Sequence, residues 1–461
     1  MKNEWKGKRV LIIGAARQGL ALTRYLSSHG AIVTLNDSRT EENKSSIQEE
    51  LTPLNVSCVF GGHPESLLIN TDLVCVSGGI PLDLPILKLA KSNGIPLTND
   101  SQIFFNHVKA PVIGITGSAG KTTTTTLVGR MAQHLRHNDR KVWVGGNIGN
   151  PLLESVGEIE KDDLVILELS SFQLELMSSS PRIAAVLNIT PNHLDRHRTM
   201  KSYTGAKANI LTHQAHSDIA ILNREDPGSW NFKRLVKGRL TSFGQQKPQQ
   251  SFSGSFVENG HIIFFREGKI TELLTNSEIE LKGKHNLMNV LAACAIAMEA
   301  GIPEESIREG VKGFTGVAHR LEFVRELHGV RWYNDSIATA PERTSAAILS
   351  FTEPIVLLLG GRDKDLPWND LVDLIHQRVD HVVIFGELCE KVLSVLGGLK
   401  SYRKPQTISH CKKLKDAVQK ANEVAEAGDV VLFSPGGTSF DAFKDFEERG
   451  ELFRSWVNQL S

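Results

Sequence analysis

Short apolar runs alternate with longer stretches of mixed polarity along the whole chain, and the alternation restarts twice. Helical spacing of apolar residues predicts helices at Leu20–His29, Thr123–Leu135 and Leu287–Glu299. The apolar runs are bounded by glycine or polar residues, which predicts buried strands at Arg9–Ile13, Ile32–Leu35, Leu73–Val76, Leu164–Leu167, Ala184–Ile189, Pro354–Leu359, His381–Phe385 and Asp429–Phe433. Strands that alternate with helices favour parallel, doubly wound sheets, so the predicted fold class is α/β.

The restarts of this pattern predict three domains, at residues 1–108, 109–314 and 315–461. The second pattern begins at Pro111, and the third follows a predicted linker at Thr315-Gly316-Val317. The first and third segments have a Rossmann-like alternation, and the central one has that of a P-loop mononucleotide-binding domain. Within the central segment, the Gln-, Ser- and Pro-rich stretch from Gln245 to Ser255 predicts a surface loop.

Composition excludes few classes of protein, but it argues against a binding surface for nucleic acid or for a membrane. The 52 basic residues balance 52 acidic ones, which gives no basic face for nucleic acid or for a membrane. Apolar runs all fall well short of the roughly 18 residues that a membrane-spanning helix needs. The five cysteines are scattered without a CxxC pair, which favours a reducing, cytoplasmic location.

The strongest local motif follows the predicted strand at Val112–Ile115. Two glycines, a lysine and a threonine come between this strand and a predicted helix, in the layout of a nucleoside triphosphate site. Backbone N–H groups would face the phosphates, Lys121 would reach the terminal ones and Thr122 would hold Mg²⁺. The predicted ATP loop is Gly117, Ser118, Ala119, Gly120, Lys121, Thr122 and Thr123. An ordinary turn of an α/β protein is the alternative.

A first glycine loop, from Gly14 to Gly19, follows the first predicted strand and opens a helix. It is similar to the dinucleotide fingerprint, with Asp37 at the end of the next strand, but Ala16 stands where the middle glycine would be. The methyl group of Ala16 hinders close approach of a pyrophosphate, which weakens the interpretation of this loop as a nicotinamide-dinucleotide site. A nucleotide-sugar diphosphate is the ligand that fits better. Glycines that only pack helix against strand are the alternative.

Several further motifs together resemble those of the Mur ligases of peptidoglycan synthesis, over nearly the whole chain. They are Gly145–Gly149, Glu168-Leu-Ser-Ser-Phe-Gln173, Asn188–His197, His285-Asn286, His319-Arg320, Asn334–Thr339 and Ser434–Phe446. The resemblance implies a UDP-binding first domain, a central ATP-binding domain and a third domain for the amino acid. It implies ATP-dependent addition of D-glutamate to UDP-N-acetylmuramoyl-L-alanine through an acyl phosphate, by a monomer that binds neither nucleic acid nor membrane.

The same resemblance implies two Mg²⁺ ions and a catalytic set made of Lys121, Glu168, His193 and Lys207. Glu168 follows a predicted strand, and a carboxylate there suits a hard cation. The implied metal ligands are Thr122, Glu168, His193 and Lys207. Lys207 would act after carbamylation by CO₂, which requires a neutral amine and therefore a lowered pKa.

Binding residues are likewise implied by the resemblance. Those for ATP, besides the phosphate loop, are Asn286, Asn289, Arg320 and Asp335. Those for the UDP-linked substrate are Arg17, Gln18, Asp37, Ser38, Arg39, Gly79, Asn147, Ser170 and His193. Those for the amino acid are Thr339, Lys364, Ser439, Phe440 and Phe446, of which Ser439 ends a predicted anion-binding turn between a strand and a helix.

Departures from the family pattern leave alternatives open. Ile337 stands where many relatives have lysine, so L-glutamate is an alternative substrate, and Gly78 stands where proline is common, which predicts a looser substrate loop. Asn286 and Asn289 could instead cap the helix Leu287–Glu299, and His197 could be a surface histidine. A UDP-sugar-binding protein without turnover and a nicotinamide oxidoreductase are the alternatives of another class.

Overall fold

The structure is a computed structural model that describes residues 4–39, 51–135, 140–149, 151–192, 194–249, 252–281, 283–363, 366–397 and 405–461. It divides into two compact units, residues 1–314 and 315–461. The first unit contains two sheets and the second contains one. In the described residues, no helix combines the length and the apolar character that a membrane span requires.

The first sheet has the order β3-β2-β1-β4-β5, and all of its described pairs are parallel. Its strands are β1 (Arg9–Ile13), β2 (Ile32–Asp37), β3 (Ser57–Phe60), β4 (Leu73–Val76) and β5 (Leu97–Thr98). Helices α1 (Arg17–Ser28) and α2 (Pro85–Ser92) connect strands of this sheet, α3 (Asp100–His107) follows β5, and 3₁₀ turns lie at Thr52–Leu54 and Glu65–Leu68. The order reverses between β1 and β4, so the loops that follow these two strands border one crevice, where α/β sheets bind ligands.

The second sheet has the order β14-β13-β12-β11-β10-β9-β6-β8-β7. Its strands are β6 (Val112–Thr116), β7 (Val142–Gly146), β8 (Leu164–Glu168), β9 (Ile183–Val186), β10 (Ile219–Asn223), β11 (Arg239–Phe243), β12 (Ser253–Glu258), β13 (His261–Arg266) and β14 (Lys269–Thr275). Its helices are α4 (Lys121–Gln133), α5 (Ser171–Glu175), α6 (Leu194–His197), α7 (Met200–Thr212), α8 (Pro227–Trp230), α9 (Lys284–Glu299) and α10 (Glu304–Val311), with 3₁₀ turns at Asn231–Leu235 and Asn276–Glu278.

The prediction of purely parallel sheets is wrong at one edge of this second sheet. β12, β13 and β14 pair antiparallel through two tight turns. Asn259 and Gly260 both have positive φ in the first turn, as do Glu267 and Gly268 in the second. An Asn-Gly pair is a strong hairpin signal because both residues tolerate this backbone. The predicted loop from Gln245 to Ser255 is also too long, since β12 already begins at Ser253.

The sheet of the second unit has the order β15-β16-β20-β17-β18-β19. Its strands are β15 (Glu322–Leu327), β16 (Val330–Asn334), β17 (Ile355–Gly360), β18 (His381–Phe385), β19 (Thr407–Cys411) and β20 (Val430–Gly436). Its helices are α11 (Pro341–Ile348), α12 (Asn369–Arg378), α13 (Cys389–Leu396), α14 (Leu414–Val424) and α15 (Phe446–Gln459). Except for the antiparallel pair β15–β16, the described pairs are parallel.

The two sheets of the first unit share one continuous apolar core. Phe104 of α3 and Leu174 of α5 belong to the same buried cluster. Polar contacts reinforce this junction: Asn99 Nδ2 donates to the Gln173 carbonyl over 2.7 Å, and Ser178 N donates to Gln102 Oε1 over 2.7 Å. The crevice of the first sheet is therefore held in a fixed relation to the loops of the second.

Candidate active site

The phosphate loop follows β6 and is held from both sides by its neighbours. Ala119 N donates to Asn188 Oδ1 over 2.8 Å, and Asn188 Nδ2 donates back to the Ala119 carbonyl. The hydroxyl groups of Ser118 and Tyr203 are 2.8 Å apart. Lys121, the first residue of α4, folds its Nζ onto the Gly117 carbonyl at 2.9 Å. The order of strand, glycine loop and helix is thus the one that the sequence predicted.

Two glycines of this loop leave no room for a side chain. A Cβ on Gly117 would lie 2.9 Å from Leu187 Cβ. Gly120 has φ +81°, and a Cβ there would lie 2.2 Å from Asn289 Oδ1. The predicted nucleotide residue Asn289 therefore packs directly on the loop, where its Nδ2 also donates to Asn286 Oδ1. The alternative that Asn286 and Asn289 cap the helix is wrong, because α9 begins at Lys284 with Gly283 at its N-cap and no side-chain cap.

Glu168 ends β8 and joins the phosphate loop to the next strand. Its side chain is buried, and its two oxygens accept different donors: Thr122 Oγ1 on Oε2 and Asn147 Nδ2 on Oε1, both at 2.8 Å. Asn147 follows β7, whose last residue, Gly146, lies against the Glu168 backbone; a Cβ on Gly146 would come within 2.3 Å of the Glu168 carbonyl. Hydroxyl and carboxylate oxygens held this close form a donor set that suits Mg²⁺.

Lys207 of α7 is almost completely buried below the same loop. Its Nζ donates to Thr116 Oγ1 over 3.2 Å and to the Gly117 carbonyl over 3.0 Å. Burial, and then the nearby charge of Lys121, lower the pKa of Lys207 well below its usual value. Two lysines that meet at one carbonyl cannot both be protonated at low cost. The interior location and the lowered pKa agree with the neutral amine that the sequence analysis required.

Ser170, predicted to bind substrate, lies directly after this strand end. It forms the N-cap of α5 in a capping box with Gln173. The Ser170 hydroxyl accepts the Gln173 N–H over 3.2 Å and donates to its side-chain oxygen over 3.0 Å. This segment therefore fixes the chain direction immediately after Glu168.

The loop after β1 is held by the predicted substrate residue Asp37. Asp37 Oδ2 accepts Ala15 N over 2.6 Å, and both carboxylate oxygens pair with the Arg39 guanidinium. These hydrogen bonds outweigh burial and lower the pKa of Asp37 to about 2. Ser38, between them, is exposed. The Asp37 carboxylate is thus engaged within the protein, and its contacts orient the glycine loop.

The facing loop, after β4, is held by Gln18. Gln18 Oε1 accepts Gly78 N over 2.9 Å. A proline at this position would have no N–H to donate, so Gly78 also supplies a hydrogen bond that holds the loop. Gly79 has φ +92°, which favours glycine. Arg17, from the same turn of α1, donates to the Gly149 carbonyl over 2.6 Å.

In the second unit, the ends of β16, β20 and β17 are adjacent and bring another set of predicted residues to one edge. Asp335 Oδ2 accepts Ser434 Oγ over 2.8 Å, and burial raises the pKa of Asp335 to about 6. Thr438 and Arg362 exchange two backbone hydrogen bonds of 2.9 Å. Of the other residues predicted in this unit, Ser439 is buried, Phe446 is half-buried and Phe440 is exposed. Arg320 and Thr339 each interact with other residues.

The predicted anion-binding turn at Ser434–Ser439 differs from the prediction in one respect. β20 continues to Gly436, and the next helix, α15, begins only at Phe446. The turn therefore lacks a helix N-terminus directly behind it. Two predicted residues, His193 and Lys364, lie outside the described part of the chain. Among the described residues, no group of three or more His, Cys, Asp or Glu side chains could hold a metal ion.

Comparison with known proteins assigns three segments of the chain to known domain families. Three family models match: the Mur ligase MurD-like N-terminal domain at residues 8–99, the Mur ligase middle domain at 115–297 and the Mur ligase glutamate ligase domain at 319–437. The UDP-N-acetylmuramoylalanine–D-glutamate ligase of Symbiobacterium thermophilum is 41% identical over 456 residues, covering 98% of both chains. That of Geotalea uraniireducens is 39% identical and covers 99% of this chain and 98% of its own.

The chain belongs to the Mur ligase family. Solved structures agree in fold: UDP-N-acetylmuramate–alanine ligase MurC of Thermotoga maritima has a TM-score of 0.56 at 19% identity, over 98% of this chain and 99% of its own. The MurF ligase of the same organism, solved in complex with ADP, has a TM-score of 0.53 at 18% identity, over 100% of this chain and 97% of its own. The three-domain α/β fold class is confirmed.

A cluster of three stacked or edge-on rings, Phe172, His197 and Tyr203, lies beside the phosphate loop of this Mur ligase and was not predicted from the sequence. His197 is buried and stacks on Phe172 with ring centroids 5.0 Å apart, and its Nε2 lies 2.9 Å from Ser171 Oγ. Its other side meets the edge of Tyr203, which contacts Ser118. The alternative of a surface histidine is therefore wrong. Histidine four residues after His193 was the only available signal, and it could equally indicate an exposed helix face.

Arg449, just beyond the Ser434–Phe446 motif, was also missed. Its side chain is fully buried and donates to the Ser336 carbonyl over 2.8 Å and to the Gly437 carbonyl over 3.1 Å. Burial lowers the pKa of Arg449 to about 10. The guanidinium thus ties the segment after β16 to the turn after β20. A lone arginine in a charged stretch of sequence gives no sign of such burial.

Proposed function

We propose that the chain is an ATP-dependent ligase that adds D-glutamate to UDP-N-acetylmuramoyl-L-alanine. The names of the full-length relatives at 41% and 39% identity support this substrate pair. The observation that carries the chemistry is the contact of Thr122 with Glu168 at 2.8 Å, beside the phosphate loop. A loop for phosphates next to oxygen ligands for a cation is what phosphoryl transfer from ATP requires.

The reaction would proceed in two steps, formation of an acyl phosphate and its attack by an amine. A carboxylate oxygen of the UDP-linked substrate attacks the γ-phosphorus of ATP, and the bond between the γ-phosphorus and the β–γ bridging oxygen breaks. ADP departs, and the substrate becomes an acyl phosphate. The amine of D-glutamate then attacks the acyl carbon, the carbon–oxygen bond to phosphate breaks, and inorganic phosphate and a proton leave. Both steps concentrate negative charge, so positive charge and oriented N–H groups would supply most of the stabilisation.

The loop residues would divide this work. Lys121 would leave the Gly117 carbonyl and stabilise the β- and γ-phosphates, while the N–H groups at the start of α4 would bind the same phosphates. Thr122 and Glu168 would hold Mg²⁺, which neutralises phosphate charge when bound. We expect His193 and carbamylated Lys207 to complete the site for a second Mg²⁺. The lowered pKa of Lys207, which is held below the loop, favours the neutral amine that reacts with CO₂.

The substrates would occupy the edges already described. The UDP-linked substrate would lie between the loops after β1 and β4, near Arg17, Gln18, Ser38, Arg39 and Gly79, and would extend towards Asn147 and Ser170. Asn286, Asn289, Arg320 and Asp335 would bind ATP. Thr339, Lys364, Ser439, Phe440 and Phe446 would bind the amino acid. We expect a cytoplasmic monomer, with domains at 1–108, 109–314 and 315–461.

Phosphate release tests the proposal directly. Purified protein receives Mg·ATP and UDP-N-acetylmuramoyl-L-alanine, with D-glutamate, L-glutamate or neither. Release only with D-glutamate is the expected result, and Lys121→Ala should abolish it because the phosphate loop loses its positive charge. Release only with L-glutamate would keep the mechanism and change the substrate. No release with either would return the chain to the UDP-sugar-binding alternative.

A further inference from the structure

A cavity lies at the edge of the second sheet opposite to the phosphate loop. It has a volume of about 460 Å³ and is lined by the first residues of several central strands, among them Val112, Leu164, Ile183, Ile219 and Arg239. These strands are parallel, so their amino ends form this cavity while the end of β6 carries the phosphate loop. The cavity is thus separate from the proposed active site, at the far end of the same strands.

The charged side chains around the cavity are mostly basic. Arg140, Arg182 and Arg239 line it together with one carboxylate, Glu299. That carboxylate is already neutralised: Arg239 pairs with Glu299 Oε2, and Arg266 from outside the cavity pairs with the same oxygen at 2.8 Å. The cavity therefore retains uncompensated positive charge from the other two arginines.

Arg140 and Arg182 have no side-chain partner among the described residues. The Nε of Arg140 is buried without a hydrogen-bond acceptor in that part of the chain. A buried donor without an acceptor is costly, and native proteins rarely keep one unless a ligand or water satisfies it. Arg182 is exposed at the rim. One half-buried arginine with a buried Nε and one exposed arginine thus border a cavity that is large enough for a small molecule.

We propose that this cavity binds a small organic phosphate. Guanidinium groups match phosphate oxygens with paired hydrogen bonds. A phosphate ester carries close to two negative charges at neutral pH, whereas a carboxylate carries one, so a phosphate matches the charge of the two arginines better. The apolar floor of Val112, Leu164, Ile183 and Ile219 would pack against the carbon skeleton of the same ligand.

Calorimetric titration with phenyl phosphate tests this site in the full-length protein. The background is Lys121→Ala, which weakens phosphate binding at the catalytic loop. Arg182→Gln removes the exposed arginine without disturbing the interior, and Arg140→Gln removes the half-buried one. Arg9→Gln is the matched control, because Arg9 is an exposed arginine on the first sheet. Each cavity variant should weaken binding about tenfold relative to the control.

Two results would overturn the proposal. Equal affinity for phenyl phosphate in Arg182→Gln, Arg140→Gln and Arg9→Gln would place any binding elsewhere. Benzoate, which has the same ring with a carboxylate, should bind at least tenfold more weakly; equal or tighter arginine-dependent binding of benzoate would exclude phosphate as the ligand class. Neither measurement uses turnover, so the result is independent of the proposed ligase reaction.

Discussion

Thr122 Oγ1 donates a hydrogen bond of 2.8 Å to Glu168 Oε2, although the two residues are 46 positions apart. The contact exists because β6 and β8 are parallel neighbours, so the loop after one strand meets the end of the other. It brings a hydroxyl and a carboxylate together beside the lysine that would bind phosphate.

Glu168→Gln should lower kcat about 100-fold or more and raise the Mg²⁺ concentration needed for half-maximal activity. Glutamine keeps the size of the side chain and an acceptor for Asn147, but it lacks the negative charge that a cation needs. Steady-state phosphate release at varied Mg²⁺ measures both effects. Glu158→Gln, at an exposed position of the same unit, is the control. An unchanged Mg²⁺ dependence would contradict the metal role of Glu168.

Gly78→Ala should raise the KM of the UDP-linked substrate, and the double variant with Gln18→Ala should show a smaller increase than the two single variants predict together. A Cβ on Gly78 would lie 2.0 Å from Gln18 Oε1, so the loop must move unless that side chain is shortened. Kinetics of the two single variants and the double variant form the test. Gly205→Ala is the control, because a Cβ there meets nothing within 4 Å. Additive effects would mean that the Gln18–Gly78 contact does not position the loop.

Lys207 should give a carbamate signal in ¹³C NMR with labelled bicarbonate, and the signal should grow as pH rises. Only the neutral amine reacts with CO₂, and the lowered pKa of Lys207 means that it becomes neutral at a lower pH than an exposed lysine. Lys207→Arg should remove the signal, whereas Lys201→Arg, at an exposed position of the same helix, should keep it. A signal that survives Lys207→Arg would refute the assignment.

Asp100→Asn should stabilise the protein relative to wild type increasingly as pH rises from about 4.5 to about 6.5, and the difference should be constant above that range. Burial raises the pKa of Asp100 from its usual 3.8 to about 6. A carboxyl group whose folded pKa is raised loses its stabilising contribution as pH rises through that value, and asparagine has no such loss. The difference should change by up to about 2 kcal/mol.

Urea unfolding at several pH values measures this difference for Asp100→Asn. Asp162→Asn, at an exposed position, is the control. A difference between Asp100→Asn and wild type that does not vary with pH would show that Asp100 titrates normally.

The sequence by itself determined the order of the elements and the chemistry of the main loop. Strand positions followed from apolar runs: β1, β4 and β18 match their predicted bounds. The phosphate loop was predictable because its glycines, lysine and threonine act within one short segment. Such local patterns are set by neighbouring residues, and no distant contact is needed to recognise them. The hairpins β12–β13–β14 were equally local, and the Asn259-Gly260 signal could have predicted the first of them.

Only the tertiary structure decided which distant side chains meet and how deeply they are buried. Lys207 and Arg449 look like ordinary surface charges in the sequence, yet both are buried and hydrogen-bonded to carbonyl groups. Likewise, the pairing of Gln18 with Gly78 and the cavity at the amino ends of the strands depend on sheet order. Burial and sheet order arise from packing among segments far apart in the chain, which a local pattern of polarity does not encode.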